Sequence, residues 1–273
     1  MTDPDAHRAI VEAWRTQRYA ALRRETGWLT LSGLDWLKPG VNRIGSATDS
    51  EIVLPSGPAQ AGALTVSDEA VHADGGPGGL SIDGVPVAGL RLVSDQDGQP
   101  TMLELGPLRL CLIERGGRMG VRTWDTESPA RCEFAGIDHW PVDAAWQLDG
   151  RFEPTGRTLQ VPDVLGSVED ETSPGDVAFE IEGATHRLQA LPGGDAGELW
   201  LVFGDATNGH ETYGGGRFLY TDAPAGNGHV LVDFNRAYNP PCVFSPYATC
   251  PLPWPANRLP IRIEAGERTW GGH

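Results

Sequence analysis

The chain has 273 residues, 40% of them apolar and 21% charged, with 36 Gly and 22 Pro. That is the composition of a folded, turn-rich globular protein, long enough for a sizeable core in one large or two modest domains. Against 21 Lys and Arg stand 37 Asp and Glu, and the net charge of −16 argues against a phosphate backbone or an anionic lipid surface as a partner.

The opening Met1-Thr2-Asp3-Pro4-Asp5 is acidic where a signal peptide needs positive charge. No apolar run of h-region or membrane-spanning length follows, so a cytoplasmic protein is expected. Cys111, Cys132, Cys242 and Cys250 are too sparse for a disulfide framework, and a reducing compartment would keep them as thiols. Lys38 is the single lysine, which leaves Schiff-base chemistry one candidate.

From Asp5 to Glu25, Ile10, Val11, Trp14, Ala21 and Leu22 recur at roughly helical spacing, which predicts an amphipathic N-terminal helix (segment 1–26) closed by Gly27. Beyond it the texture changes to short apolar runs punctuated by Gly, Pro and Asp: Trp28–Leu31, Glu51–Leu54, Ala63–Val66, Leu80–Ile82, Leu90–Val93, Met102–Leu105, Leu108–Ile113 and Met119–Trp124. Such spacing predicts a β-sandwich or barrel over 27–140. The rhythm breaks around Phe134–Asp143, and a second strand series follows at Ala145–Phe152, Thr158–Val161, Val177–Ile181, His186–Ala190, Leu199–Phe203, Arg217–Tyr220 and Val230–Phe234, with Glu182-Gly183 as a hairpin turn. This makes 141–273 a second antiparallel β domain. Seven prolines between Asn239 and Pro260 close it with a rigid, extended segment. The fold class read from the sequence is therefore mainly β.

Within the first β region, Gly40-Val41-Asn42-Arg43-Ile44-Gly45-Ser46-Ala47 and the later Ile82-Asp83-Gly84-Val85-Pro86-Val87 resemble the opening and a late turn of a forkhead-associated sandwich. Phosphothreonine recognition in that family needs an Arg directly after the Gly and a Ser-x-x-His pair. Here Ser46 follows Gly45, and Ser67 and His72 lie too far apart, so phosphopeptide binding is not expected.

The informative segment runs from Asp205 to Glu267, where polar and aromatic side chains alternate on a proline-stiffened backbone suited to holding a site in place. The blocks Asp233–Cys242, Ser245-Pro246-Tyr247-Ala248-Thr249-Cys250-Pro251, Asn257-Arg258-Leu259 and Ala265-Gly266-Glu267 resemble the signature of domain of unknown function family 1684. Thr212–Leu219 and the early Gly27-Trp28-Leu29-Thr30-Leu31 resemble it too, which implies that the family covers nearly the whole chain. That resemblance carries no assigned reaction.

Several chemistries are compatible with these residues. Arg217, Arg236 and Arg258 are the only Lys or Arg between 205 and 261, with Asp205, Glu211 and Asp233 near them in sequence. They either form buried Arg–carboxylate bridges that pin the proline segment to the sheet, or point a guanidinium into a pocket to hold an anionic group. In the leading reading the chain is a small-molecule enzyme without a cofactor, doing acid/base or hydrolytic chemistry. Asp233 or Glu211 would move the proton, Arg217 or Arg236 would anchor an anion, and Tyr213, Tyr238, Asn239, Tyr247 and Arg258 would line the pocket. The rival is a non-catalytic binding or scaffolding protein in which the motif is a structural clasp. A third reading places a mononuclear metal on Cys242 and Cys250 with His210 or His229. The late cysteines could equally be a nucleophile with a His, buried inert thiols, or a thiol pair close in space. The three glycines before Arg217 permit a close backbone approach, to a neighbouring strand or to a ligand.

Overall fold

The computed structural model describes residues 3–67, 70–76 and 78–271, so Met1 and Thr2 of the predicted helical segment lie outside it. The chain divides into two compact units, Ala21–Phe134 and Met1–Ala20 with Ala135–His273. The protein is mainly β, and no helix among the described residues is long and apolar enough to cross a membrane.

Helix α1 (Pro4–Leu22) starts with Pro4 in its first turn, where the missing N–H costs nothing. It stops short of the predicted Glu25 because the backbone tightens into turns: Arg24 N donates to Ala21 O, Gly27 N to Arg24 O, and Leu29 N back to Leu22 O. The predicted strand at Trp28–Leu31 is for the same reason mostly turn, with the Thr30 hydroxyl donating to Gly27 O and Glu25 O.

The unit Ala21–Phe134 contains β1 (Leu31–Trp36), β2 (Gly40–Gly45), β3 (Ile52–Val53), β4 (Gly62–Val66), β5 (Val71–Gly75), β6 (Ser81–Ile82), β7 (Val85–Pro86), β8 (Leu90–Arg91), β9 (Met102–Leu105), β10 (Leu108–Arg115), β11 (Arg118–Asp125) and the short α2 (Pro129–Cys132). They form one sheet in the order β1-β11-β10-β9-β6-β7 and another in the order β3-β2-β4-β5-β8. The inward residues of both, among them Ile44, Ile52, Leu64, Leu103, Leu108, Leu110 and Val121, make one apolar cluster. The Ser46 hydroxyl donates to Gly57 O, and His72 lies in β5 opposite Thr65.

On the surface of this unit Arg43 donates from its backbone N and its Nε to Glu51 Oε2, at 2.8 and 2.9 Å. The guanidinium bond holds the Glu51 carboxyl down to about 2. A depressed carboxyl supports the fold above its unfolded value and loses that support as the pH falls through the folded one. The pair is exposed, so solvent screening keeps the effect on stability small. In an NMR titration Glu51 should protonate near pH 2, and Arg43→Gln should move it back towards the ordinary glutamate range; an unmoved Glu51 would show that the guanidinium is not the cause.

The second unit contains the N-terminal part of α1 and β12 (Gln147–Pro154), β13 (Thr158–Pro162), β14 (Val168–Thr172), β15 (Gly175–Ile181), β16 (Ala184–Pro192), β17 (Leu199–Phe203), β18 (Arg217–Thr221) and β19 (His229–Asp233). Six of these form an antiparallel sheet in the order β18-β17-β16-β15-β12-β19, and β13 and β14 make a separate hairpin. β15 turns into β16 over the expected Glu182-Gly183, both at positive φ (52° and 78°), the geometry of a two-residue hairpin turn. Phe179, Leu188, Leu201, Phe203, Leu219, Val230, Val232 and Phe234 fill the core. The segment after β19 folds back onto the outer strand β18, where Phe218 and Tyr238 exchange backbone hydrogen bonds of 2.9 Å. The proline-rich stretch contributes only single turns of 3-10 helix at Pro241–Val243 and Pro255–Asn257.

Candidate functional site

The signature residues are organised by three side-chain pairs buried in the second unit, and two of the three use α1. Along that helix His7, Val11, Trp14 and Arg18 follow one another at steps of three or four, so they share one face. His7 and Val11 are buried. His7 Nε2 lies 2.7 Å from Asp233 Oδ2, while Asp233 Oδ1 accepts from Asn235 N and Nδ2 at 3.1 and 2.8 Å. Asn235 in turn exchanges hydrogen bonds with the backbone of Asp143. Asp233 therefore ends β19, caps the 3-10 turn Phe234–Arg236 and anchors the start of α1.

The second pair is Arg18 with Glu267. Arg18 Nε donates to Glu267 Oε1 at 3.0 Å and Nη2 to Asn239 O at 2.8 Å, and Asn239 N donates to Glu267 Oε2 at 2.7 Å. The guanidinium lies 4.5 Å over the Tyr238 ring. Glu267 is fully buried, and burial pushes the Tyr238 hydroxyl above its ordinary range. Gly266 makes this path possible. It sits at φ +78°, and a Cβ there would meet Ala237 O at 2.4 Å.

The third pair is Arg217 with Asp205. Arg217 is fully buried, with Nη2 donating to Ile263 O at 2.8 Å and to Asp205 Oδ2 at 3.4 Å, and Nη1 donating to Ala265 O and Glu267 O. Asp205 also accepts from Ile263 N and the Thr207 hydroxyl. Burial pulls the Arg217 guanidinium down to about 10, opposed by Asp205 and Glu267, so it stays charged at neutral pH. The glycine run serves packing here: at Gly216 (φ +88°) a Cβ would meet Phe203 O at 2.5 Å and Pro253 Cγ at 2.8 Å.

Of the three residues expected to be catalytic, Arg217, Asp233 and Glu211 each have a separate partner. Arg217 and Asp233 are buried in the pairs above, and Glu211 bonds Arg262 at 2.7 Å on the surface. Tyr247, Arg258 and His210 are exposed. Asn239 is buried and spends its amide on Arg268 O. Two groupings of expected residues do occur. Tyr238 and Arg236 flank Trp14, with Tyr238 at 6.2 Å centroid distance and the Arg236 guanidinium at 6.0 Å. Tyr213 lies with Cys242 and Cys250: Cys242 N donates to Cys250 Sγ at 3.1 Å, and the neighbouring Cys250 and Tyr213 side chains hold the Cys242 thiol below its ordinary range. Among the described residues no group of three or more His, Cys, Asp or Glu could hold a metal ion.

Sequence reasoning missed His7, Arg18, Trp200 and Tyr220. The helical spacing of His7 and Arg18 with Val11 was a readable sign that α1 turns polar groups inward. Trp200 and Tyr220 lie directly opposite each other on β17 and β18, with rings 6.0 Å apart and 9° from parallel. Tyr238 continues the row at 6.3 Å and 8° from Tyr220.

The model of the family "protein of unknown function (DUF1684)" matches residues 132–268, half of the chain. The chain belongs to the DUF1684 family. The early Gly27–Leu31 block lies outside the matched region, whereas all three buried pairs have their C-terminal members inside it. A solution structure of an uncharacterized protein of Haloarcula marismortui is similar at 26% identity, over 53% of this chain and 82% of that one, with a TM-score of 0.44. No curated protein matches this chain.

Proposed function

We propose that this DUF1684 protein binds, through its signature region, a small, flat, ring-bearing molecule that carries an anionic group. The observation that carries the reading is the row of aromatic rings Trp200, Tyr220, Tyr238 and Trp14, which ends at the Arg236 guanidinium. Tyr220 is 40% exposed and the other three are half-buried, so ring surface and one cation remain on the outside of the signature. Aromatic faces contribute apolar area with little loss of side-chain freedom, and a guanidinium adds charge recognition. The buried pairs favour binding over acid/base or hydrolytic chemistry at these residues: Arg217 and Asp233, the side chains best suited to anchor an anion or move a proton, are already engaged by protein groups and enclosed.

Titration with 2-naphthalenesulfonate, followed by tryptophan fluorescence, tests this. Saturable quenching is expected. Tyr220→Ala should weaken binding about two- to tenfold, the equivalent of ~0.5–1.5 kcal/mol for one aromatic contact. Arg236→Gln should weaken the sulfonate but not the neutral 2-naphthol. Quenching that never saturates, or that Tyr220→Ala leaves unchanged, overturns the proposal.

A further inference from the structure

We propose that Cys242 and Cys250 form a redox-active dithiol that reduces hydroperoxides and closes to a disulfide, with Cys242 the attacking sulfur and Cys250 the resolving one. The two cysteines are eight residues apart on a loop folded so tightly that Cys242 N donates to Cys250 Sγ at 3.1 Å. Neither is in a disulfide. The roles follow from access and thiol acidity. Cys242 is partly exposed, and Cys250 is buried behind it. The adjacent Cys250 and Tyr213 side chains hold the Cys242 thiol below its ordinary range, which favours its thiolate. A partly open sulfur with a lowered thiol, next to a second thiol on the same tight loop, is what a nucleophilic thiolate with an adjacent resolving thiol requires.

The chemistry balances with a hydroperoxide as the oxidant. Cys242 thiolate attacks the outer oxygen of R–O–O–H. The O–O bond breaks, leaving Cys242 as the sulfenic acid, and the alkoxide takes up a proton as R–OH. Cys250 sulfur then attacks the sulfenic sulfur; the S–S bond forms, the S–O bond breaks, and hydroxide leaves with the Cys250 proton as water. Each sulfur gives one of the two electrons that reduce the peroxide. An external dithiol returns the pair to the reduced state by exchange. The other two thiols are suitable references. Burial pushes Cys111 up to about 11, which leaves it a poor nucleophile, and Cys132 is exposed and donates to Glu127 O.

Reduced full-length protein is treated with a small excess of hydrogen peroxide, alkylated with N-ethylmaleimide, digested and mapped by mass spectrometry. The expected product is a Cys242–Cys250 crosslink that dithiothreitol reverses, formed while Cys111 and Cys132 remain alkylatable. In Cys250→Ser, dimedone should trap a sulfenic acid on Cys242, whereas Cys242→Ser should leave Cys250 unoxidised. Tyr213→Phe, which removes the adjacent hydroxyl, should slow crosslinking several-fold. The proposal is overturned if Cys132 oxidises first while Cys242 and Cys250 stay alkylatable, if the sulfenic acid is trapped on Cys250, or if the crosslink joins any other pair. The wild-type map decides the matter even where a serine variant fails to fold.

Discussion

Asp205→Ala should cost about 3–5 kcal/mol of folding stability, the range for leaving a buried charge without its partner. The substitution strips Arg217 of its carboxylate partner and removes an acceptor for Ile263 N and the Thr207 hydroxyl. Urea unfolding should show a lower midpoint with an unchanged slope. The pair itself is not expected to be a net source of stability, because taking two charges out of water offsets most of their attraction. Asp205→Asn combined with Arg217→Met should therefore lose less than Asp205→Ala alone. A loss below about 0.5 kcal/mol in Asp205→Ala, the size of an ordinary surface substitution, would contradict the clasp.

Glu267→Ala should destabilise by a similar amount, about 3–5 kcal/mol, by removing a fully buried carboxylate and leaving Arg18 without its charge partner and the Asn239 backbone N–H without its acceptor. Here the effect should be localised. Because Arg18 ties α1 to this carboxylate, amide hydrogen exchange over residues 4–20 should accelerate more than exchange in β15 and β16. Arg18→Met keeps an apolar stem but removes the guanidinium that bonds Glu267 and lies over the Tyr238 ring, and should cost roughly 1.5–3 kcal/mol, the worth of hydrogen bonds to a charged group. Uniform acceleration throughout the unit would mean that Glu267 supports the sheet as a whole rather than the docking of the helix.

The fold class was legible because its signals are local. Apolar runs bounded by Gly, Pro and Asp gave most strands, and Glu182-Gly183 gave its hairpin. β14 was not read because Val168–Thr172 carries Glu169, Asp170 and Glu171 on an exposed hairpin, with no buried face to impose alternation. β5 was hidden in a similar way, with only Val71 and Ala73 turned inward. In the candidate site, the choice between a bridge and an anion anchor for Arg217 rested on whether Asp205 lies close to it, and twelve residues of separation made that a fair inference. Arg258, read by the same logic, is exposed. The partners of Asp233 and Glu267 were not inferable by proximity, since they sit on a helix at the other end of the sequence. Only the inward register of His7 and Arg18 on α1 pointed to them.

That register bears on how the protein is made. His7 and Asp233 are 226 positions apart and Arg18 and Glu267 are 249 apart, so the opening helix emerges from the ribosome long before either carboxylate exists. At ordinary translation speeds of about 5–20 residues per second the wait is roughly 10–50 s. Throughout that interval α1 holds a histidine, an arginine and an apolar stripe without the carboxylates they pair with, so the docking of α1 must be among the late steps of folding.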